Sequence, residues 1–435
     1  MVNENYGFDT VKIRGGYRSE EHNHSVSVPI YQTAAFDLGG TDRADRLFSS
    51  EESGFIYSRL GNPTVAALEE RVADLDGAAA SIAVSSGMAA ITYTFLNIAE
   101  GGGRILTTPR VYGGTFDSFQ KIYPNFGIQV DTVEDADNPD AFDSAVRPDT
   151  KAVFLETISN PGATIPDLEK IAQIAHDHGI PLIVDNTVAT PYLLRPIEYG
   201  ADLIIYSATK AFSGHGNVIA GLIVESGKFN WKSGIFPQFE QPYFNLKDRN
   251  GRYRSFTEVF PDSPFTARIR AIYLNLFGAS LSPFDAWLVL LGIETLSERV
   301  KKQVANTKEI IYFLEHNENV QWLSHPSAFG SPYRHLAQKY FPKGAGSILS
   351  FGLKGTEQQR NTFIESLKLF SYHTNIGDAR SLVINSPKTT HSEMTPKQQK
   401  KAGIPPETIR LSIGLEDPAD LISDLKQAIR QAFSS

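Results

Sequence analysis

Past residue 61 the chain alternates between short apolar, β-branched runs and stretches in which apolar positions recur at helical spacing. Asn62 before Pro63 marks a helix start, a capping side chain followed by a proline in the first turn. Val65, Leu68, Val72 and Leu75 then keep one apolar stripe, and Gly77 supplies the stop. Residues 81–84 read as a strand, and Ser85, Ser86 and Gly87 turn the chain into a helix from Met88. Six further strands are predicted at 104–107, 128–133, 152–156, 181–185, 203–206 and 219–224. Between two of them a helix over 167–178 carries Leu168, Ile171, Ile174 and Ala175 on one face. Strands that are apolar throughout are buried on both faces, so the pattern predicts an α/β domain with a mostly parallel, seven-stranded sheet. In such sheets ligands bind beyond the carboxyl ends of the strands.

The periodicity fails from 227 to 270, where Trp231, Phe236, Phe239, Tyr243 and Phe244 lie among Pro, Gly and charges; this reads as a loop-rich insertion. A long helical connector is expected over 283–316. The last third reads as strands at 347–353, 382–385 and 408–412, closed by a helix after Asp417-Pro418 with Leu421, Leu425, Ile429 and Phe433 as its buried stripe. The plan is an irregular arm over 1–60, a large α/β domain over 61–284 and a smaller α+β domain over 285–435.

Composition narrows the function classes. Acidic residues number 49 against 41 basic, a formal charge of −8, which argues against nucleic acid or an anionic membrane as partner. No cysteine is present, so disulfides, thiolate metal sites and cysteine nucleophiles are excluded. Residues 77–99 carry no charge, but Ser81, Ser85, Ser86, Thr92, Thr94 and Asn97 make them too polar for a membrane span. The opening residues lack the cationic lead and apolar core of a signal peptide, which points to the cytoplasm.

Several motifs fail on inspection. Gly214-His-Gly216 lacks the third glycine of a dinucleotide fingerprint and precedes a strand. The pairs His22/His24 and His176/His178 are two residues apart without a third ligand, so no metal site is expected; the second pair reads as solvated surface. Lys397, Lys400 and Lys401 read as a solvated face. Ser207-Ala-Thr-Lys210 has the spacing of an acyl-enzyme nucleophile, but it follows a strand and lacks the partner elements of those hydrolases.

Four features converge if the strand ends line up. Asp185 ends one apolar strand, Lys210 follows another, Asn160 a third, and Ser86-Gly87-Met88 opens a helix whose free N–H groups suit a phosphate. Together they supply what pyridoxal phosphate needs: a lysine for the imine, an acid opposite the ring nitrogen and a phosphate cradle. Val184-Asp-Asn-Thr187, Ser207-Ala-Thr-Lys210, Ser213-Gly-His-Gly216 and 409–416 (Ile-Arg-Leu-Ser-Ile-Gly-Leu-Glu) resemble the pyridoxal-phosphate enzymes of cysteine and methionine metabolism. So do Pro29-Ile-Tyr-Gln-Thr33, Tyr57-Ser-Arg59 with Gly61-Asn-Pro-Thr64, and 156–161 (Glu-Thr-Ile-Ser-Asn-Pro); the ordered matches run from about residue 9 to 433.

The resemblance implies the aspartate-aminotransferase type of fold (fold type I) and a homo-oligomer, a tetramer of two tight dimers with shared sites. It assigns Lys210 to the cofactor linkage and proton transfer, Asp185 to the pyridine nitrogen, Tyr112 to stacking on the ring and Asn160 to its phenolic oxygen. Gly87, Met88, Ser207 and Thr209 are implied at the phosphate, with Tyr57 and Arg59 reaching it from the arm of the neighbouring subunit. Arg410 is implied to pair bidentately with the substrate carboxylate, beside Asn375. Tyr112 and Tyr57 are implied to assist proton transfer.

Within the family, the aromatic insertion, Asn375-Ile-Gly-Asp378, and Thr389-Thr-His-Ser392 followed by Ala402-Gly-Ile-Pro-Pro406 in outline resemble the O-acetylhomoserine sulfhydrylase branch. Val188, Thr157-Ile158 and Asn217 depart from it and border the site. The expected reaction is γ-replacement of acetate in O-acetyl-L-homoserine by sulfide or methanethiol, giving homocysteine or methionine. The alternatives are methionine γ-lyase-like elimination to 2-oxobutanoate, cystathionine γ-synthesis, and a cofactor-free binding protein. The lack of cysteine favours the transferase over the lyase.

Overall fold

The structure, a computed structural model, describes residues 6–49, 51–248 and 250–433; the first five residues, on which the reading of a leaderless start rests, lie outside them. The apolar runs become β1 (Ala80–Val84), β2 (Gly103–Thr107), β3 (Ile128–Thr132), β4 (Thr150–Glu156), β5 (Leu182–Asp185), β6 (Leu203–Ser207) and β7 (Gly221–Glu225). They form one sheet in the order β1-β7-β6-β5-β4-β2-β3, parallel from β6 to β3, with β7 antiparallel to both β6 and β1. Continuous apolarity has a direct cause. Val153, Leu155, Val184 and Ile204 enter the core on one face, with Ile171 and Ala175 of the helix Leu168–Asp177. Ala152, Phe154, Ile183 and Ile205 enter the core on the other, with Ile91 and Phe95 of the helix Gly87–Ile98.

The capping signals around residue 62 hold. Asn62 accepts from the Thr64 N–H at 3.0 Å, Pro63 opens the helix Pro63–Asp76, and Gly77 ends it in the left-handed region at φ 68°. The arm is less irregular than its pattern suggests: it contains helices Phe8–Arg14 and Thr41–Phe48. These are too short for a periodicity to register, and the first is anchored through Lys12, whose buried ammonium bonds Ser297 Oγ at 2.5 Å and Glu298 at 2.6 Å.

The insertion is also more ordered than predicted. It contains helices Pro237–Glu240, Phe256–Val259 and Pro264–Arg268, a hairpin of β8 (Tyr243–Lys247) and β9 (Tyr253–Arg254), and leads into helical turns at Ile269–Phe277. Trp231, Phe236, Phe239 and Phe265 are buried against one another, whereas Phe244 stays exposed. The buried Glu225 carboxyl ties this cluster to the sheet. Its Oε1 accepts from Trp231 Nε1 and the Phe265 N–H at 3.1 Å, and its Oε2 from the Thr266 N–H and hydroxyl at 2.8 Å. Aromatic packing around one carboxyl leaves no regular period to read.

The connector is two helices, Pro283–Glu294 and Leu296–Glu315, broken at Thr295. Arg299 takes the Gly292 carbonyl at 2.6 Å, and a Cβ at Gly292 would meet the Phe212 carbonyl oxygen at 2.2 Å, so the break is fixed by close packing on the loop after β6. The second sheet contains β10 (Val320–Ser324), β11 (Ile348–Leu353), β12 (Ser371–Tyr372), β13 (Leu382–Asn385) and β14 (Thr408–Ser412), in the order β10-β11-β14-β13-β12. The edge strands β10 and β12 escaped the sequence reading: both are partly exposed, and β12 has two residues. The helix Pro418–Phe433 buries Leu421, Leu425 and Ile429 against this sheet. Among the described residues no helix is long and apolar enough to cross a membrane.

Candidate active site

Strands of the large sheet end at one edge, and the loops beyond them meet β14 of the second sheet around a cavity of about 270 Å³. Its lining includes Gly87, Met88, Tyr112, Asn160, Asp185, Ser207, Thr209, Lys210, Asn375 and Arg410, together with an apolar wall of Ile158, Val188, Ile219 and Ile376. Ten residues singled out along some 320 positions thus share one space. Tyr57 and Arg59 do not line it: Tyr57 is exposed, with the Arg59 guanidinium 5.2 Å from its ring centroid.

The two cations are held on one residue. Lys210 Nζ donates to Asn375 Oδ1 at 2.7 Å, while Arg410 Nη2 donates to the Asn375 carbonyl at 2.8 Å. Burial, and then the Arg410 charge, bring the Lys210 pKa from 10.5 down to about 8. Arg410 lies inside β14 and is buried; Nη1 donates to Asn160 Oδ1 at 3.2 Å, and Nε has no protein partner. Burial lowers its pKa to about 10. A guanidinium buried with an unused donor is poised for an anionic ligand.

The acids end adjacent strands. Asp185 and Glu156 are register partners across β5 and β4. Asp185 Oδ1 accepts from the Thr187 N–H at 2.9 Å, and burial raises its pKa. Glu156 is pushed up further, by burial and then by the Asp185 charge. Its Oε1 accepts from the Tyr112 N–H and its Oε2 from the Asn160 N–H at 3.1 Å. Sequence reasoning gave Glu156 no role, although its signal, an acid closing an apolar strand, is the one that singled out Asp185.

The anion cradle is built from backbone. Ser86 caps the helix Gly87–Ile98 by accepting from the Ala89 N–H at 3.0 Å, leaving first-turn N–H groups free. A Cβ at Gly87 would lie 2.8 Å from Ser207 Cβ, so glycine permits the helix start to close on β6. Ser207 is fixed through its N–H, which donates to Thr187 Oγ1 at 2.8 Å. The Thr209 hydroxyl accepts from the Ala220 N–H at 3.0 Å.

Cradle, amine, acid and unused guanidinium fit pyridoxal phosphate plus an amino-acid carboxylate. The rejected readings do not fit these surroundings, although Ser207 and Lys210 themselves line the cavity. Ser207 closes β6 and opens no helix. His22 stacks on Tyr17 and bonds the Tyr31 hydroxyl at 2.9 Å. His176 and His178 are not free surface rings: each meets an aspartate, Asp202 at 2.8 Å and Asp143 at 2.7 Å.

The chain belongs to the Cys/Met metabolism PLP-dependent enzyme family, whose model matches residues 9–430. It is 41% identical to O-acetyl-L-homoserine sulfhydrylase 1 of Thermus thermophilus, over 97% of this chain and 99% of that one. It is 39% identical to homocysteine synthase of Schizosaccharomyces pombe, over 99% of this chain and 100% of the relative. A crystal structure from Campylobacter jejuni, described as an O-acetylhomoserine (thiol)-lyase carrying a pyridoxyl-lysine monophosphate, superposes with a TM-score of 0.92 at 38% identity. That match covers 98% of this chain and 100% of the other. The protein therefore has the fold of pyridoxal-phosphate enzymes of type I.

Proposed function

We propose that the protein catalyses γ-replacement on O-acetyl-L-homoserine, with sulfide or methanethiol as nucleophile, yielding L-homocysteine or L-methionine and acetate in methionine biosynthesis. The observation that carries this reading is full-length identity near 40% to O-acetyl-L-homoserine sulfhydrylases and homocysteine synthases, joined to a cavity in which Lys210, Asp185 and Arg410 converge.

Pyridoxal phosphate, when bound, supplies an electron sink for negative charge developing at Cα and then Cβ of the amino acid. The residues around it bind, orient and move protons. Gly87, Met88, Ser207 and Thr209 hold the phosphate, Tyr112 and Asn160 the ring and its phenolic oxygen, and Asp185 the ring nitrogen. Arg410 takes the α-carboxylate in its fork, and Asn375 keeps Lys210 next to it. That placement brings Lys210 Nζ to the Cα proton. A pKa near 8 leaves a usable share of the amine neutral at physiological pH, as a base requires. Across the whole reaction the Cγ–oxygen bond breaks, a Cγ–sulfur bond forms, and the protons taken from Cα and Cβ are returned. Tyr112, at the open side of the cavity, is placed to assist these transfers.

The site is completed by a second subunit in this reading. Tyr57 and Arg59 stand exposed on the arm over 1–60, outside their own chain's cavity, and serve the neighbour's phosphate in a homo-oligomer, a tetramer of tight dimers. The enzyme works in the cytoplasm. The large domain spans 61–284 and the small one 285–435.

Product analysis tests the reaction. The purified protein, pyridoxal phosphate and O-acetyl-L-homoserine are expected to give homocysteine and acetate in equal amounts only when sulfide is added. Formation of 2-oxobutanoate at the same rate with and without sulfide would replace this reading by elimination.

A further inference from the structure

We infer that Glu156 is a positioning residue for pyridoxal phosphate, setting with its two carboxyl oxygens the slot in which the flat ring lies. The inference rests on the assignment of Tyr112, Asn160 and Asp185 to that ring. Glu156 is the last residue of β4 and is 8% exposed. Through Oε1 it holds the main chain of Tyr112, which belongs to the loop after β2; through Oε2 it holds the main chain of Asn160, at 3.1 Å, four residues further along its own chain. One carboxyl group therefore fixes the ring-stacking tyrosine and the phenolic-oxygen asparagine together. It does so directly across the register from Asp185, the residue assigned to the ring nitrogen.

Chemistry explains why this position carries an acid. Both groups to be held are N–H donors, and a carboxyl group offers an acceptor on each oxygen, whereas glutamine offers one acceptor and would set its NH₂ against the other N–H. Burial beside Asp185 makes a second carboxyl costly there, and the rise in its pKa reflects that cost. A costly group kept for backbone contacts to two ligand-facing residues marks the place where cofactor geometry is set. Glu156 donates to nothing and carries no ion pair among the described residues, so surface charge pairing does not account for it.

The test compares the full-length protein with Glu156→Gln and Glu156→Ala. Apoprotein is titrated with pyridoxal phosphate to obtain Kd, and visible circular dichroism per bound cofactor reports how the ring is held. The inference predicts a Kd raised at least tenfold in Glu156→Gln and more in Glu156→Ala, with the visible dichroism per bound ring reduced at least twofold in both. Far-ultraviolet dichroism of the isosteric Glu156→Gln apoprotein is expected to match that of the parent. Kd and visible dichroism within twofold of the parent in Glu156→Gln overturn the inference while leaving the cofactor site standing. Failure of the parent itself to bind pyridoxal phosphate overturns both. A weaker Kd with unchanged dichroism per bound ring also overturns it, because general loosening does not turn the ring.

Discussion

Lys210 should be reactive near neutral pH before any cofactor is bound. Moving a lysine from 10.5 to about 8 amounts to about 3 kcal/mol of disfavoured charge. At pH 7.5 an amine with a pKa near 8 is about one quarter neutral, against roughly one part in a thousand for an exposed lysine. Cyanate, which attacks only neutral amines, should therefore label Lys210 of the apoprotein about two hundred times faster than a lysine of ordinary pKa and equal access. Arg410→Met separates the causes. Both cations are tied to Asn375, which puts their charges on the order of 6 Å apart; at an effective dielectric near 20 that is about 3 kcal/mol before solvent screening in the open cavity. Allowing for that screening, and for Asp378, which acts in the opposite direction, the midpoint should rise by about one pH unit, and labelling at pH 7.5 should slow by about tenfold. The assay is peptide mass spectrometry of Lys210 carbamylation from pH 6.5 to 11. A parent midpoint near 10.5, or a folded Arg410→Met protein with an unmoved midpoint, would refute the electrostatic reasoning.

Four further outcomes follow from the geometry. Gly87→Ala drives a methyl into Ser207 and should weaken pyridoxal-phosphate binding at least tenfold and cost about 1–3 kcal/mol of apoprotein stability, read by cofactor titration and urea unfolding. Glu225→Gln breaks a buried carboxyl that accepts from four donors and should cost about 2–4 kcal/mol in urea unfolding; a loss below about 0.5 kcal/mol would show that the insertion is anchored otherwise. Asp76, fully buried, has its pKa raised from 3.8 to about 7 by burial, against the Tyr206 hydroxyl that donates to it; a raised acid binds its proton more tightly when folded, so stability falls as pH climbs from about 4 to 7. Asp76→Asn should match the parent near pH 4 and exceed it at pH 8 by about 4 kcal/mol at most, and a gap that does not vary with pH would sink that account. Mixing inactive Arg59→Ala and Lys210→Ala proteins should restore up to about a quarter of the activity if sites are shared between two chains, and none otherwise.

The parts of the fold that were legible in the sequence share a physical property: one local rule fixes each of them. Double burial makes a strand apolar throughout, and all seven runs became strands of one sheet. The Asn62-Pro63 start and the Gly77 stop needed only capping chemistry. At the site, Asp185, Lys210, Asn160 and Ser86-Gly87-Met88 stood out only as a set past apolar strands, and their roles, with Tyr112, Asn375 and Arg410, came from the ordered motifs that resemble the family. What escaped was set by tertiary partners. The aromatic cluster of the insertion takes its order from Glu225, forty residues from its furthest donors, and the short helices of the arm from contacts such as that of Lys12 with Ser297 and Glu298. Glu156 was visible as a motif letter, but its work is done on two backbone N–H groups, which carry no sequence mark.

Arg410 and Lys210 come from different sheets, so their spacing depends on how those sheets are joined. One join is made at the loop after β4, besides those such as the Ala379 N–H to the Gly214 carbonyl. Arg410 and Ser350 are register partners on β14 and β11, and both reach that loop: Arg410 bonds the Asn160 side chain, and the Ser350 hydroxyl donates to the Pro161 carbonyl at 2.7 Å. Ser324 on β10 donates to the Gly162 carbonyl at 2.6 Å, extending the grip by one strand and one residue. Asn160 is in turn held from below by Glu156. The same three-residue stretch therefore carries the asparagine proposed at the ring and contacts from two strands of the second sheet beside Arg410. Arg410 and Asn160 are thus tied to each other, so that in the proposed mechanism the group that takes the carboxylate and the group at the ring would keep their spacing, as selective removal of the Cα proton requires.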